Sequence, residues 1–272
     1  MVSRTVTRGN IQRKGFGISD LPQDHPRFIE PMYAKPAQKV PESKDWLYEV
    51  KLDGYRCLAG RGRKGVTLWS RRGNLFTNQF PAIARACEVL EPDTLIDGEV
   101  VALDESGRSS FTVLQHHRSK ARAILFYAFD LPIYRGRSLL IVPLEQRREL
   151  LTQALGGIDG SDDSLIRISE TFSGSPAALI SAVEELEFEG IVAKKKDSLY
   201  ESGQRSGSTV LRNSSSEGRG NAHSGSPKSS LTDMPLTAMK HVDADQVVPL
   251  APRRIWAATQ SRLRSKERWQ SR

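Results

Sequence analysis

Lys51 is the residue whose setting most needs explaining. It closes the run Trp46-Leu47-Tyr48-Glu49-Val50-Lys51 and is followed at once by Asp53-Gly54 and Arg56. An amine there can act as a nucleophile if it loses its proton near neutral pH, against an ordinary pKa of about 10.4. A lone lysine at a strand end is ordinarily a solvated charge. The weighing changes because other charges interrupt apolar strands further on. Asp97 and Glu99 lie inside Leu95–Val101, and Glu189 and Lys194 bracket Gly190-Ile191-Val192-Ala193. Charges half buried in strands are costly unless paired or put to use. Several of both signs predict a cleft for a charged ligand.

The elements that must position these groups read as a mixed α and β pattern. Trp46–Lys51 and Arg56–Ala59 read as strands joined by the Asp53-Gly54 turn. Val66–Ser70 pairs back on Arg56–Gly60 as a hairpin closed by Arg61–Gly65. Thr94–Leu103, Ile124–Asp130 and Gly190–Lys194 are further strands. Phe80–Leu90, Pro143–Leu155 and Pro176–Leu186 carry apolar residues at helical spacing. Residues 1–25 are polar and read as a flexible leader, and residues 26–208 form one domain. In 209–272 periodicity is lost among Ser, Gly, Asn and Arg, and this segment reads as a disordered basic tail.

Composition narrows the classes. The chain has 272 residues, 38% hydrophobic and 26% charged, which leaves room for a real core. Its net charge is +8, but residues 209–272 hold 11 Lys and Arg against 5 Asp and Glu, so most of the excess belongs to the tail. No stretch approaches the ~18 apolar residues of a membrane span, and the basic N-terminus has no apolar signal region. The expectation is a cytoplasmic monomer with no membrane partner. Cys57 and Cys87 are too few for a disulfide scaffold or a four-cysteine zinc site. They read as small packing residues. His116-His117 lacks a third ligand at useful spacing. Gly60–Gly65 lacks the spacing of a phosphate-cradling P-loop.

Five short motifs follow one another: Lys51-Leu52-Asp53-Gly54-Tyr55-Arg56, Ser70-Arg71-Arg72-Gly73, Asp97-Gly98-Glu99, Phe126-Tyr127-Ala128-Phe129-Asp130 and Glu189–Lys194. In this order and spacing the chain, from about Phe28 to Ser206, resembles the ATP-dependent DNA ligases of the bacterial end-joining type. The resemblance implies an α+β fold with antiparallel sheets around a nucleotide cleft, an ATP-grasp-like nucleotidyltransferase domain. It implies ATP and Mg²⁺ as cofactors, DNA nicks or breaks as substrate, and end-joining proteins as partners. Lys51 would attack the α-phosphate of ATP and keep AMP as a phosphoramidate, for later transfer to a DNA 5′-phosphate. Glu49 would read the adenine, and Arg56 and Arg71 the ribose and phosphates. Glu99 would hold ribose or metal, Glu189 metal, Phe129 would stack on the base, and Lys194 would contact the nucleotide phosphates. Arg61, Arg63, Lys64, Arg71 and Arg72 would supply DNA backbone contacts, or else form no more than a solvated hairpin loop. An RNA ligase or capping-type nucleotidyltransferase, or a non-catalytic nucleic-acid-binding fragment, are the alternatives.

The chain departs from that pattern at one end. Ser202–Ser208 should lead into Trp-x-Lys-x-Lys, whose lysines bind the triphosphate, and then into an OB-fold. Here Thr209-Val210-Leu211-Arg212 follows, with neither tryptophan nor lysine. Arg212–Gly218 can be encoded so that a shifted frame reads Glu-Phe-Val-Ile-Gly-Gly, the usual entrance to that OB-fold. A frameshift with a small deletion is therefore expected, and with it slow or absent adenylation of Lys51.

Overall fold

The computed structural model describes residues 17–105, 107–116, 123–156, 164–172 and 176–214. Two sheets carry the architecture. The larger is built from β3 (Tyr55–Gly62), β4 (Gly65–Ser70), β5 (Thr94–Leu103), β6 (Ala123–Tyr134) and β7 (Arg137–Ser138), in the order β4-β3-β5-β6-β7, with β8 (Ile166–Ile168) added alongside β6. The smaller contains β1 (Tyr33–Pro36), β2 (Trp46–Val50), β9 (Gly190–Lys195) and β10 (Arg205–Asn213), in the order β1-β10-β9-β2. Antiparallel pairing dominates as expected, but β1–β10 and β6–β8 are parallel.

Each sheet buries one face under helices. Beneath the larger sheet lies the main core, where Ile83 of α1 (Pro81–Ala86), Leu114 of α2 (Phe111–His116) and Leu151 and Leu155 of α3 (Leu144–Leu155) meet Ile96, Val100, Phe126 and Leu131. The inward stripe of α3 is Leu144, Arg147, Leu151 and Leu155, a spacing of three and four that keeps one face toward the sheet. Leu179 and Val183 of α4 (Pro176–Glu185) cover Tyr48, Val50, Ile191, Ala193 and Val210 of the smaller sheet.

Several expected boundaries move. Residues 17–25 are not a flexible leader: Leu21 is buried in the main core, and the Ser138 and Asp24 amides donate to Pro22 and Gly136 carbonyls at 2.8 and 3.0 Å. The domain also does not stop at 208, because Thr209–Asn213 pairs with Gly190–Lys194 along β9. The remainder of the expected tail, with Ser215–Gly218 of the frameshift reading, lies outside the described residues. The expected helix Phe80–Leu90 breaks after Ala86 into a 3₁₀ turn at Cys87–Val89. The β3–β4 turn tightens to Arg63-Lys64, since Gly62 already pairs with Gly65. Cys57 and Cys87 are fully buried, and burial pushes both thiols up, that of Cys87 to about 12, as befits packing residues.

The join between the two sheets places the key residue. The Lys51 amide still donates to the Gly190 carbonyl at 2.8 Å, on the smaller sheet, whereas Tyr55 opens the larger one. Only residues 51–54 make the crossing. Gly54 is needed there because a Cβ would lie 2.2 Å from the Val100 carbonyl oxygen. Asp53 anchors the turn: its carboxylate accepts from the Phe111 amide at 2.8 Å, and its own amide donates to Ser109 Oγ at 3.2 Å.

Candidate active site

A cleft of about 840 Å³ opens where the sheets meet. Its walls include Glu49, Lys51, Arg56, Arg71, Glu99, Phe129 and Lys194. Glu189 does not line it but ion-pairs with Lys51. Residues spread over almost 150 positions thus converge because the strands that carry them, from both sheets, line one cleft. Alternation within each strand decides which side chain points in.

Charge pairing in the cleft is uneven. Arg56 grips Asp97 through two hydrogen bonds of 2.6 Å, and Asp97, fully buried, also accepts from the Tyr200 hydroxyl at 2.6 Å. Burial opposes the Arg56 charge, but Asp97 outweighs it and the guanidinium stays protonated. Burial likewise raises the Tyr200 phenol, with the Asp97 charge adding to it, so Tyr200 remains a donor. Glu49 is just as enclosed. Its Oε1 accepts from Arg148 at 3.0 Å, and its Oε2 from Lys194 at 2.9 Å and Ser169 at 3.2 Å. Phe129 has the Lys194 ammonium 4.2 Å and the Arg56 guanidinium 4.5 Å from its ring centroid.

Lys51 and Glu99 are less completely satisfied. Desolvation lowers the Lys51 pKa, while the charges of Glu99 and Asp53 pull it back up. The net direction favours the neutral amine. Burial raises Glu99 to about 7 despite Arg56 and Lys51 nearby. A half-buried carboxyl held that high is a group short of cation. Glu99 and Glu189 are hard-oxygen donors that both interact with Lys51. Mg²⁺ is commonly held by one or two carboxylates with substrate phosphates completing its shell, so these two suit it. Among the described residues no three His, Cys, Asp or Glu cluster as an all-protein metal site. His116 sits on the cleft wall, and His117 lies outside the described residues.

The expected basic cluster divides in two. Arg63 and Lys64 occupy the tip of the hairpin beside Arg61, whereas exposed Arg71 and Arg72 follow the other end of the six-residue β4, about 20 Å away. Arg71 and Arg72 border the cleft. Arg148, Ser169 and Tyr200 escape a reading of the sequence. Arg148 looks like one more solvated helix charge, and Ser169 and Tyr200 lie in stretches without periodicity.

Residues 31–211 match the ATP dependent DNA ligase domain. The chain belongs to that family. Among curated relatives it is 36% identical over 180 residues to the multifunctional non-homologous end joining protein LigD of Pseudomonas aeruginosa, a match spanning 65% of this chain and 21% of that protein. It is 34% identical over 207 residues to LigD of Mycolicibacterium smegmatis, across 74% of this chain and 26% of the relative. The chain therefore matches about a quarter or less of the length of these two relatives. Among solved structures, the ligase domain of M. tuberculosis LigD superposes with a TM-score of 0.58 at 31% identity, covering 68% of this chain and 59% of that one. A mycobacterial DNA ligase D complexed with ATP and MES gives a TM-score of 0.58 at 30% identity, over 68% and 60%. The α+β architecture is thus that of a LigD ligase domain. Among the described residues no helix is long and apolar enough to cross a membrane.

Where the resembled pattern has Trp-x-Lys-x-Lys, the strand is present but its cations are not. Thr209 pairs with Lys194 and is buried, and Leu211 lines the cleft. Arg212 is one position out of phase, and its guanidinium meets Glu184 of α4 at 3.5 Å.

Proposed function

We propose that this chain is the adenylation module of an ATP-dependent DNA ligase acting on DNA breaks in end joining, in the cytoplasm, and that its first step is slow. The observation that carries the reading is Lys51, an amine with lowered pKa, set at the junction of two sheets in a cleft lined by Arg56, Arg71 and Lys194. Neutral Lys51 Nζ attacks the α-phosphorus of ATP. An N–P bond forms, the bond to the β-phosphate oxygen breaks, pyrophosphate leaves with that electron pair, and Nζ sheds its proton. That proton passes to water, which reaches the Lys51 side chain at 23% exposure. Arg56 is pre-oriented by Asp97 and Tyr200, so little reorganisation accompanies its contact with ribose or phosphate. Glu49 and Phe129 provide the polar and apolar faces for the base. Glu99 and Glu189 would hold Mg²⁺, which when bound neutralises phosphate charge. The AMP is then passed to a DNA 5′-phosphate, with the basic groups on both ends of the β3–β4 hairpin holding backbone.

Slowness follows from Leu211. A preorganised cation at a developing charge is worth about 10²–10³ in rate, and β10 puts an aliphatic side chain on the cleft wall instead. The test is incubation with α-labelled ATP and Mg²⁺. A weak covalent label that disappears in Lys51→Ala is expected. No label at any enzyme concentration refutes nucleotidyl transfer by this chain, and a label retained by Lys51→Ala refutes the nucleophile. Labelling as fast as that of an intact LigD ligase domain would show the β10 cations to be dispensable.

A further inference from the structure

We infer that Arg148 is the residue that positions Glu49 for purine selection, an indirect reader of the base that never touches it. The inference rests on the reading of the cleft as a site for an adenine nucleotide. Two arginines stand side by side on α3 and do different things. Arg147 is fully buried and clasps Asp130 at 2.7 and 2.9 Å, with the Val142 and Ser198 carbonyls at 2.5 and 3.0 Å. Arg148 does not line the cleft, as Arg147 does, but reaches two residues that do, Glu49 and Phe129. Its guanidinium donates to Glu49 Oε1 at 3.0 Å, to the Phe129 carbonyl at 3.0 Å and to the Ser169 carbonyl. Its side chain is 11% exposed.

Those contacts tie together the two groups that face the base. Glu49 comes from β2 of the smaller sheet, Phe129 from β6 of the larger, and Arg148 joins them from α3. A carboxylate offers about four acceptor positions. Arg148 takes one on Oε1, and Lys194 and Ser169 take two on Oε2. One position on Oε1 is left, beside the Arg148 hydrogen bond. It accepts an N–H donor such as the C6 amino group of adenine and repels the C6 carbonyl of guanine. Without Arg148 the carboxylate can turn about its last torsion, and both oxygens lose their fixed roles.

The test is equilibrium binding of ATP and of GTP, without Mg²⁺, to the wild-type chain and to Arg148→Met, Arg148→Lys and Arg147→Met. Melting curves accompany each variant. The wild type is expected to prefer ATP. Arg148→Met loses about tenfold in ATP affinity, the worth of one charge-assisted hydrogen bond, while GTP affinity holds, so the preference collapses. Arg148→Lys recovers part of it, and Arg147→Met melts earlier yet keeps the wild-type ATP:GTP ratio in its folded fraction. An undiminished preference in Arg148→Met overturns the role of Arg148 and leaves the nucleotide reading intact. If Arg148→Met does not fold, Arg148→Lys decides instead, and a preference equal to wild type in that variant overturns the inference. A wild type that binds neither nucleotide, or both equally, overturns the adenine reading itself and this role with it.

Discussion

Arg147–Asp130 and Lys51–Glu99 line the same cleft, and they treat charge in opposite ways. Burial alone would raise the Asp130 carboxyl, yet the two-pronged grip of Arg147 holds it below its ordinary value. Glu99, by contrast, is pushed up to about 7 by burial, with no partner that grips it among the described residues, and Lys51 is pushed down by the same cause. The first region has closed its electrostatics to make structure. The second keeps an amine and a carboxyl away from their ordinary protonation balance, which is what chemistry on a polyanion near neutral pH requires. The difference predicts that charge removal costs stability on one side and releases stability on the other.

The largest effect should come from the closed side. Arg147→Met leaves Asp130 buried without its counter-ion, and truncating one partner of such a pair costs about 3–5 kcal/mol. Urea denaturation should show that loss, with Arg148→Met, which leaves Glu49 still paired to Lys194, costing about 1 kcal/mol. Equal costs for the two neighbours would erase the distinction between a structural and a positioning arginine.

Part of this contrast is written in the chain. Arg147 interrupts an apolar stripe at Leu144, Leu151 and Leu155, so its burial is implicit in the spacing, although a charge on a helix draws less notice than one in a strand. Asp97, Glu99, Glu189 and Lys194 stand out because apolar neighbours on both sides leave them nowhere to go but a core or a cleft. Lys51 stands out through its turn. The strand β10 is not legible: Ser206, Gly207 and Ser208 have low strand propensity, and what makes the segment a strand is the slot between β9 and β1. Pairing of residues 205–211 with 33–36 crosses most of the chain, and no local pattern announces it. The role of Leu21 is hidden for the same reason, as one apolar residue in a polar stretch shows no period.

The open side should respond in the other direction. Below about pH 4.5, the ordinary value of Glu99, the group is protonated in folded and unfolded chain alike. Between there and about 7 the folded chain keeps a proton that the unfolded chain releases, so stability falls as pH rises through this window, and the full deficit is present above it. Glu99→Gln removes the ionisable group. It should therefore stabilise the protein by about 1–3 kcal/mol at pH 8 and by almost nothing at pH 4, while lowering Lys51 labelling. Thermal melts at the two pH values decide it, and a gain independent of pH would show that ionisation is not the source of the penalty.

The smallest effect is the most pointed. Arg205 brings a cation to the cleft at the start of β10, but further along, where Leu211 lines the wall, the neighbouring cation Arg212 falls on the other face, because successive side chains of a strand point oppositely. Moving the charge should matter more than adding it. Leu211→Lys places an ammonium on the wall of the cleft that Lys51 also lines, and labelling of Lys51 by α-labelled ATP should rise about tenfold, less than a fully preorganised donor because a lysine stem is flexible. Arg212→Leu removes the same unit of charge from the side facing Glu184 and should leave labelling where it was. The double variant then restores the original net charge with its position inverted, so a rise there equal to that of Leu211→Lys assigns the effect to geometry. A rise that vanishes in the double variant would instead assign it to the overall field of a basic chain, and the loss of catalytic power would have to be sought outside β10.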